Sequence, residues 1–471
     1  MLFIRNSLFL LLFCLILFSC KNKEAKVVEE QTKPNILLIN IDDLGWKDLS
    51  FMGNDFFETP NIDALSKEGI IFTNGYATAA NCAPSRANLM TGQFPQRHGI
   101  YTVGNSDRGK AKDRKLIPTK NITTLRDSFL TLPEVLKNNG YSTCHAGKWH
   151  LTDNPLDNGF DINIGGNHAG HPSSYYPPYK NVDLEAEEGK RLTDLIMDKT
   201  IDFLRTAEKP FFINYSPYAV HTPIQPVKEL VGKYKNKTSE QGHDNANYAT
   251  MIENMDVNIG RLVTALKEQG KLKNTFIVFT SDNGGLYAVS KQHPLRSGKG
   301  SYYEGGIRVP FFFVRPGYIK ENQQSDEPIT NLDLYPTILE VANIKKPEDK
   351  ILDGNSLATI LTQEKTTLDR PLFWHFPIYL QAVAKVNENR DAKFRTRPGS
   401  VIRKGNWKLH HYFEDNGMEL YNLQDDLGEK NNLAEKEPEK TKELLNLLDN
   451  WRQKTDAPVP IELNPEYKGE N

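Results

Sequence analysis

Residues Asn35-Ile36-Leu37-Leu38-Ile39-Asn40-Ile41 form an apolar run without polar alternation, the pattern of a strand covered on both faces. The same texture recurs at 211–215, 275–280 and 309–314. Between these runs the apolar spacing becomes helical. Leu195, Ile196, Lys199, Ile201, Phe203 and Leu204 belong to one helix, and Met251, Ile252, Met255, Ile259, Leu262, Val263 and Leu266 stripe another. Thr131-Leu132-Pro133 offers a cap and an early proline for a third, which Asn139-Gly140 ends. The alternation predicts an α/β fold, with a large mixed, mostly parallel sheet sandwiched by helices. Ligands in such sheets gather at the carboxyl ends of the strands. From about residue 371 the texture changes. Trp374, Phe376, Tyr379, Val401, Ile402, Trp407, Leu409, Tyr412, Leu420 and Tyr421 alternate as in strands, and a helix near 441–451 follows. This predicts a main domain over 34–368 and a smaller α+β subdomain with an antiparallel sheet over 369–471.

The first 33 residues follow neither pattern. Arg5 precedes an unbroken apolar run at 8–18, the size of a signal-peptide core and too short to cross a bilayer as a helix. The run ends Ser19-Cys20, which resembles a bacterial lipobox, and the charged stretch 21–33 reads as a tether. The expectation is a signal peptide over 1–19, a tether over 20–33, and an acylated Cys20 that holds the chain to a lipid bilayer. A plain secretory signal is the alternative. The address is the cell envelope, on the periplasmic or surface side, with the outer membrane as the favoured site.

Composition narrows the function. Of 471 residues, 38% are hydrophobic and 25% charged, enough for a sizeable core. The 58 basic and 60 acidic residues leave a net charge of −2, which argues against a nucleic-acid partner. Four cysteines, Cys14, Cys20, Cys82 and Cys144, are too few for a disulfide scaffold. Cys144 reads as a small buried hydrophobe.

Candidate chemistry sits at the ends of the apolar runs. Asp42-Asp43 follows the first and Asp282-Asn283 the third. Either pair alone is an ordinary turn former or helix cap. Brought to one sheet edge, they offer hard oxygen ligands that suit Ca²⁺ or Mg²⁺ better than Zn²⁺. Pro84 in Cys82-Ala83-Pro84-Ser85-Arg86 suits the first turn of a helix. That places Cys82 near a helix N-terminus, where backbone donors favour an anion.

Cys82-x-Pro84-Ser85-Arg86 with Thr91-Gly92 resembles the signature of the formylglycine-dependent sulfatases, the arylsulfatase-like members of the alkaline phosphatase superfamily. Further blocks are similar and occur in family order. They are Asp42-Asp43-Leu44-Gly45, Gly147-Lys148-Trp149-His150, His221-Thr222-Pro223, Asp282-Asn283-Gly284-Gly285 and Leu295-Arg296-Ser297-Gly298-Lys299. The segment Glu304-Gly305-Gly306-Ile307-Arg308-Val309-Pro310 follows, then Trp407-Lys408-Leu409 with Glu419-Leu420-Tyr421-Asn422-Leu423. Gln93 and Met90 depart from the Arg and Leu common in the family, at positions that are not catalytic.

The resemblance implies an alkaline phosphatase-like fold and a specific mechanism. A separate maturation enzyme would oxidise Cys82 to formylglycine, whose hydrated aldehyde attacks sulfur. Asp42, Asp43, Asp282 and Asn283, with residue 82, would hold one cation, Ca²⁺ ahead of Mg²⁺. Arg86 and Lys148 would fix the diol. Lys299 would bind the sulfate and, with His221, assist the leaving oxygen. His150 would then take a proton from the second hydroxyl, expelling sulfate. The implied substrate is a sulfated carbohydrate, algal (such as ulvan) or glycosaminoglycan. His168 and His171 in the Gly-, Pro- and Tyr-rich loop 165–179, together with His293, are candidate sugar contacts. His375 and Arg395 fall in no block either, and read as sugar-pocket lining or as loop packing. The alternatives are a phosphonate monoester or phosphodiester hydrolase of the same fold, and a non-catalytic glycan-binding lipoprotein.

Overall fold

Successive side chains of β1 (Asn35–Ile41) point to opposite faces, and every residue of the strand is buried. Leu37, Ile39 and Ile41 pack on one side, against Ile196, Met197, Ile201 and Leu204 of one helix and Met251, Ile252, Met255 and Ile259 of another. Ile36 and Leu38 pack on the other, with Ala83, Ala87, Leu132, Val135, Leu334 and Ile338. Each fully buried Ile or Leu contributes roughly 1.5–3 kcal/mol. A charge at Leu38 would therefore break the sheet rather than bend it. The computed structural model describes residues 33–208, 210–383 and 388–469. Cys14 and Cys20, and with them the lipidation site, lie outside the described residues. Among the described residues no helix is long and apolar enough to cross a membrane.

The main sheet adds β2 (Ile70–Phe72), β3 (Ser142–Gly147), β4 (Ile162–Ile164), β5 (Phe211–Ser216), β6 (Thr275–Ser281), β7 (Phe312–Val314) and β8 (Gln323–Ser325). Their order is β4-β3-β5-β1-β6-β7-β2-β8. All pairs are parallel except those made by β7, which runs antiparallel to both β6 and β2. Helices that cover the sheet include α1 (Cys82–Thr91), α2 (Leu132–Asn138), α3 (Leu192–Thr206), α4 (Ala246–Glu268) and α5 (Leu334–Val341). At the start of α2, Thr131 N–H donates to Glu134 Oε2 at 2.7 Å, and Pro133 occupies the first turn.

Two elements depart from the apolar-run reading. The run at 309–314 yields a strand only over Phe312–Val314. Pro310 has no N–H to give a ladder, and the chain reaches this strand from loops at the carboxyl edge, so it enters the sheet in the reverse direction. Strand β3 has no apolar run at all, since Ser142, Thr143, Cys144, His145 and Gly147 make up most of it. Its polar groups are satisfied inside: Asn214 Nδ2 lies 2.9 Å from His145 Nδ1. Cys144 is fully buried, and burial pushes its thiol well above the ordinary range.

The C-terminal part forms an antiparallel sheet of β9 (Leu372–Phe376), β10 (Gly399–Lys404), β11 (Trp407–Tyr412) and β12 (Met418–Asn422), in that order. Helix α6 (Pro438–Lys454) lays Leu444, Leu448 and Trp451 on Ile402, Leu409 and Leu420. Trp374 Nε1 donates to Ala77 O at 2.8 Å, which docks this sheet beside the chain that leads into α1. Residues 34–471 constitute one compact unit.

Candidate active site

Register places the first acidic pairs. Ile41 of β1 is opposite Ser281 of β6, so Asp42 and Asp282 leave the sheet side by side. Asp43 then takes a left-handed backbone, φ 59°, and its N–H donates to Asp282 Oδ1 at 3.1 Å. A non-glycine residue held there is strained, as is common where function fixes geometry. Asn283 Nδ2 donates to Asp43 Oδ1 at 2.8 Å, while Asn283 Oδ1 is buried without a partner. Gly147 of β3 pairs with Ser216 of β5, and the next residue, Lys148, sends Nζ to both oxygens of Asp42 at 2.8 Å.

Helix α1 delivers Cys82 to the same point. It is the first helical residue, after an extended Asn81, and Gly92 in the left-handed conformation closes the far end. One turn on, Arg86 donates through Nε to Asp282 Oδ2 at 2.8 Å and through Nη1 to Lys148 O at 2.8 Å. Cys82 Sγ lies 3.8 Å from Asp43 Oδ1, and Lys299 Nζ lies 3.2 Å from Cys82 Sγ and 2.7 Å from Asp43 Oδ2. Ligand atoms of Asp42, Cys82 and Asp282 all fall within 4.8 Å of one another, as do those of Asp43, Cys82 and His221.

The electrostatics follow from burial and these neighbours. Burial raises the Cys82 thiol, but Lys148 and Lys299 outweigh it and bring it down to about 7. Burial also raises Asp42, against the pull of Lys148 and with a push from Asp282. Burial presses Asp43 the same way, yet Lys299 and His221 hold it well below the carboxylate range. Three carboxylates this close, beside a buried amide oxygen with no partner, are a donor set of hard oxygens that fits a divalent cation. The residues expected to hold a metal are thus brought together.

Cys82 opens into a small cavity of about 250 Å³ that His150, His171, His221, Lys299, Arg108 and Arg395 help to line. His150 also has a left-handed backbone, φ 65°, and its buried Nδ1 has no partner. Burial, then Lys148 and Arg86, push its pKa far below normal. His221 Nδ1 lies 2.8 Å from Thr222 O, and its Nε2 lies 3.5 Å from Asp43 Oδ2. Burial opposes its charged form, but Asp43 wins and raises it.

The candidate sugar contacts divide. His171 lines the cavity, with its ring 5.6 Å from that of His221. His168 stands behind His150, edge-on at 6.1 Å, with Nε2 3.0 Å from Thr123 O. His293 lines another cleft, with Tyr287, Lys291 and Glu388. His375 packs internally, between Ser400 Oγ at 2.8 Å and Pro458 O at 3.0 Å. Sequence reasoning passed over Asn81, Arg108 and Leu380 as pocket residues, whereas Thr222 stood in the His221 block and Arg395, outside any block, was read as a basic side chain that suits a sulfated glycan. Arg108 lies in an ordinary polar stretch, so only the fold reveals it.

A basic pocket over a cysteine at a helix start, beside clustered carboxylates, is the constellation of the sulfatases. The sulfatase family profile matches residues 34–344, more than half of the chain, and the chain belongs to that family. A second profile, the C-terminal part of N-sulphoglucosamine sulphohydrolase, matches residues 298–454. Among relatives, a sulfatase of Formosa agariphila is 33% identical, with 98% of this chain and 95% of that protein covered. Human N-acetylgalactosamine-6-sulfatase is 32% identical, over 73% of this chain and 68% of its own. The solved structure of Ps i-CgsB in complex with k-i-k-neocarrahexaose superimposes with a TM-score of 0.73 at 29% identity, covering 89% of this chain and 93% of that one. The phosphonate monoester hydrolase of Agrobacterium radiobacter shares the fold alone, at 20% identity and a TM-score of 0.66.

Proposed function

We propose that the chain releases inorganic sulfate from sulfated carbohydrates, using residue 82 after its conversion to formylglycine. The observation that carries this reading is the convergence on Cys82 of Lys299, Asp43 and His221 in a basic pocket that His150 also lines. The sulfated sugars named for relatives support the substrate class. The reaction consumes one water: the bond between sulfur and the sugar oxygen breaks, leaving a free hydroxyl and sulfate.

Formylglycine supplies a hydrated aldehyde, whose hydroxyl attacks a sulfate ester where an unmodified serine would leave a second hard hydrolysis. Asp42, Asp43, Asp282 and Asn283 would hold Ca²⁺, with Mg²⁺ the second choice, because flexible all-oxygen sets with an amide suit the larger ion. Bound there, the cation would offset the negative charge of the ester and acidify the attacking hydroxyl. The chain's own residues do the rest. Arg86 and Lys148 fix the carboxylates around residue 82. Lys299, whose Nζ lies 3.2 Å from Cys82 Sγ, is placed to bind the sulfate. His221, favoured in its charged form beside Asp43, holds the proton for the leaving sugar oxygen at Nε2. His150, kept neutral, accepts the proton when sulfate leaves residue 82. Opposed shifts on two histidines in one pocket are how acid and base roles are separated.

The same reading includes maturation by a formylglycine-generating enzyme and an envelope address through acylated Cys20. Residues 34–368 carry the chemistry, and 369–471 add Leu380 and Arg395 to the pocket wall. Sulfate release from defined sulfated oligosaccharides, algal and glycosaminoglycan, tests the activity. Cys82→Ala abolishes release, and full activity in that variant contradicts the mechanism. Aryl phosphonate turned over in preference to the matched aryl sulfate replaces sulfur with phosphorus. Membrane fractionation of Cys20→Ser tests the anchor, and retention of the variant in the membrane fraction contradicts it.

A further inference from the structure

Arg108 and Arg395 reach the Cys82 cavity from distant parts of the sequence. Arg108 is half-buried, and its one side-chain hydrogen bond among the described residues is from Nη1 to Val103 O at a long 3.4 Å. Arg395 is anchored harder. Its Nε donates to Gln381 O at 3.1 Å and its Nη1 to Lys299 O at 3.0 Å. Gly300 lets the guanidinium lie flat on the chain, since a Cβ there would stand 3.1 Å from both Cζ and Nη1. Neither arginine forms an ion pair among the described residues, although most other arginines of the chain do.

Two guanidinium groups without carboxylate partners that line one small cavity repel each other when no ligand is bound. Burial and then Arg108 lower Arg395 to about 10. The carboxylate that opposes this, Asp43, is already engaged by Lys299 and Asn283. The sulfate to be removed has its own cation in Lys299, so these arginines serve something else. Guanidinium forks match the oxygens of a sulfate or a carboxylate.

We propose that Arg108 and Arg395 form a second anion subsite in the Cys82 cavity, selecting carbohydrates that carry a further sulfate ester or a carboxylate beside the sulfate removed. The proposal rests on the sulfated-carbohydrate reading above and names its substrate class. Arg395, bonded to the carbonyl of Lys299, links the two anion sites through one residue.

The test is equilibrium binding by calorimetry to the full chain carrying Cys82→Ala, so that no ligand is consumed. Three disaccharides are compared: one with a single sulfate, one with two sulfates, and one with a sulfate and a uronate carboxylate. At least one two-anion ligand binds about tenfold tighter than the singly sulfated one, and Arg108→Gln in the same background erases that ratio. Arg108→Lys, which keeps the charge, retains part of it. Preference for the second sulfate or for the carboxylate identifies the anion, and either supports the subsite. Equal binding of all three, or a ratio untouched by Arg108→Gln, overturns it. Sulfate release by the matured chain is read separately. A binding ratio without turnover supports the subsite while refuting the hydrolase; turnover without a ratio refutes only the subsite.

Discussion

Lys299 bridges the two halves of the site, with Nζ within hydrogen-bond reach of Cys82 Sγ and of Asp43. Lys299→Ala should lower kcat/KM for sulfate esters by about 100- to 1,000-fold, the scale for removing one preorganised donor at developing negative charge. A loss under tenfold would remove Lys299 from the chemistry. The unmatured thiol provides a second check at this scale. Cys82 is held near 7 by Lys148 and Lys299, so its thiolate absorbance in metal-free, unmodified protein should appear around neutral pH. In Lys299→Ala it should appear at higher pH, since a cation that favours the thiolate is gone; an unchanged midpoint contradicts the assignment. At this scale the sequence was most informative. Cys82, Arg86 and the two acidic pairs stand in recognisable blocks, because their chemistry demands particular residues at particular spacings. Arg108 and Arg395 stand in none, since a guanidinium can reach a pocket from many backbone positions.

At the scale of elements, the loop between β6 and β7 carries Lys299 back to the sheet edge by close backbone approach. Lys299 N–H donates to Gly285 O at 2.9 Å, and Gly284 N–H to Gly306 O at 3.0 Å. A Cβ on Gly284 would lie 2.0 Å from Gly305 O. Gly284→Ala should therefore displace the loop, costing about 1–3 kcal/mol, and reduce activity together with thermal stability. Full activity and an unchanged melting temperature would show that the loop does not need this approach. The apolar runs revealed β1, β5 and β6 because those strands are dry on both faces. Strand β3 escaped notice, since its buried His145 and Thr143 satisfy themselves internally. Strand β7 is shorter than its apolar run, and its direction was not legible, because a run of apolar residues says nothing about which edge the chain enters from.

Across the whole molecule, a buried ion network ties the pocket loop to the C-terminal sheet. Glu304, within that loop, receives Lys408 of β11 at 2.9 Å and Arg308 at 3.1 Å, and Lys408 also reaches Glu429 at 2.9 Å. Glu304→Ala leaves Arg308 without its carboxylate in the interior and Lys408 with Glu429 alone, and should destabilise by about 3–5 kcal/mol. A change under about 1 kcal/mol would show the network to be dispensable. Burial favours the neutral acid of Glu304, but Lys408 and Arg308 hold its pKa below the ordinary value. A lowered carboxylate stabilises the fold above its unfolded pKa, and that contribution is lost as pH falls toward the folded value. Acid unfolding below about pH 4.5 should accordingly be shallower in Glu304→Gln than in the parent. An identical acid transition would exclude Glu304 as its source. Nothing in the local pattern of either segment announces this pairing, which joins residues over 100 positions apart.

The central claim is that sulfate release depends on an aldehyde at residue 82. Preparations that differ in the fraction of residue-82 peptide carrying formylglycine, quantified by mass spectrometry, should release sulfate in proportion to that fraction, along a line through the origin. Protein in which residue 82 is wholly a thiol, yet which turns over sulfate esters at the same rate, contradicts the account.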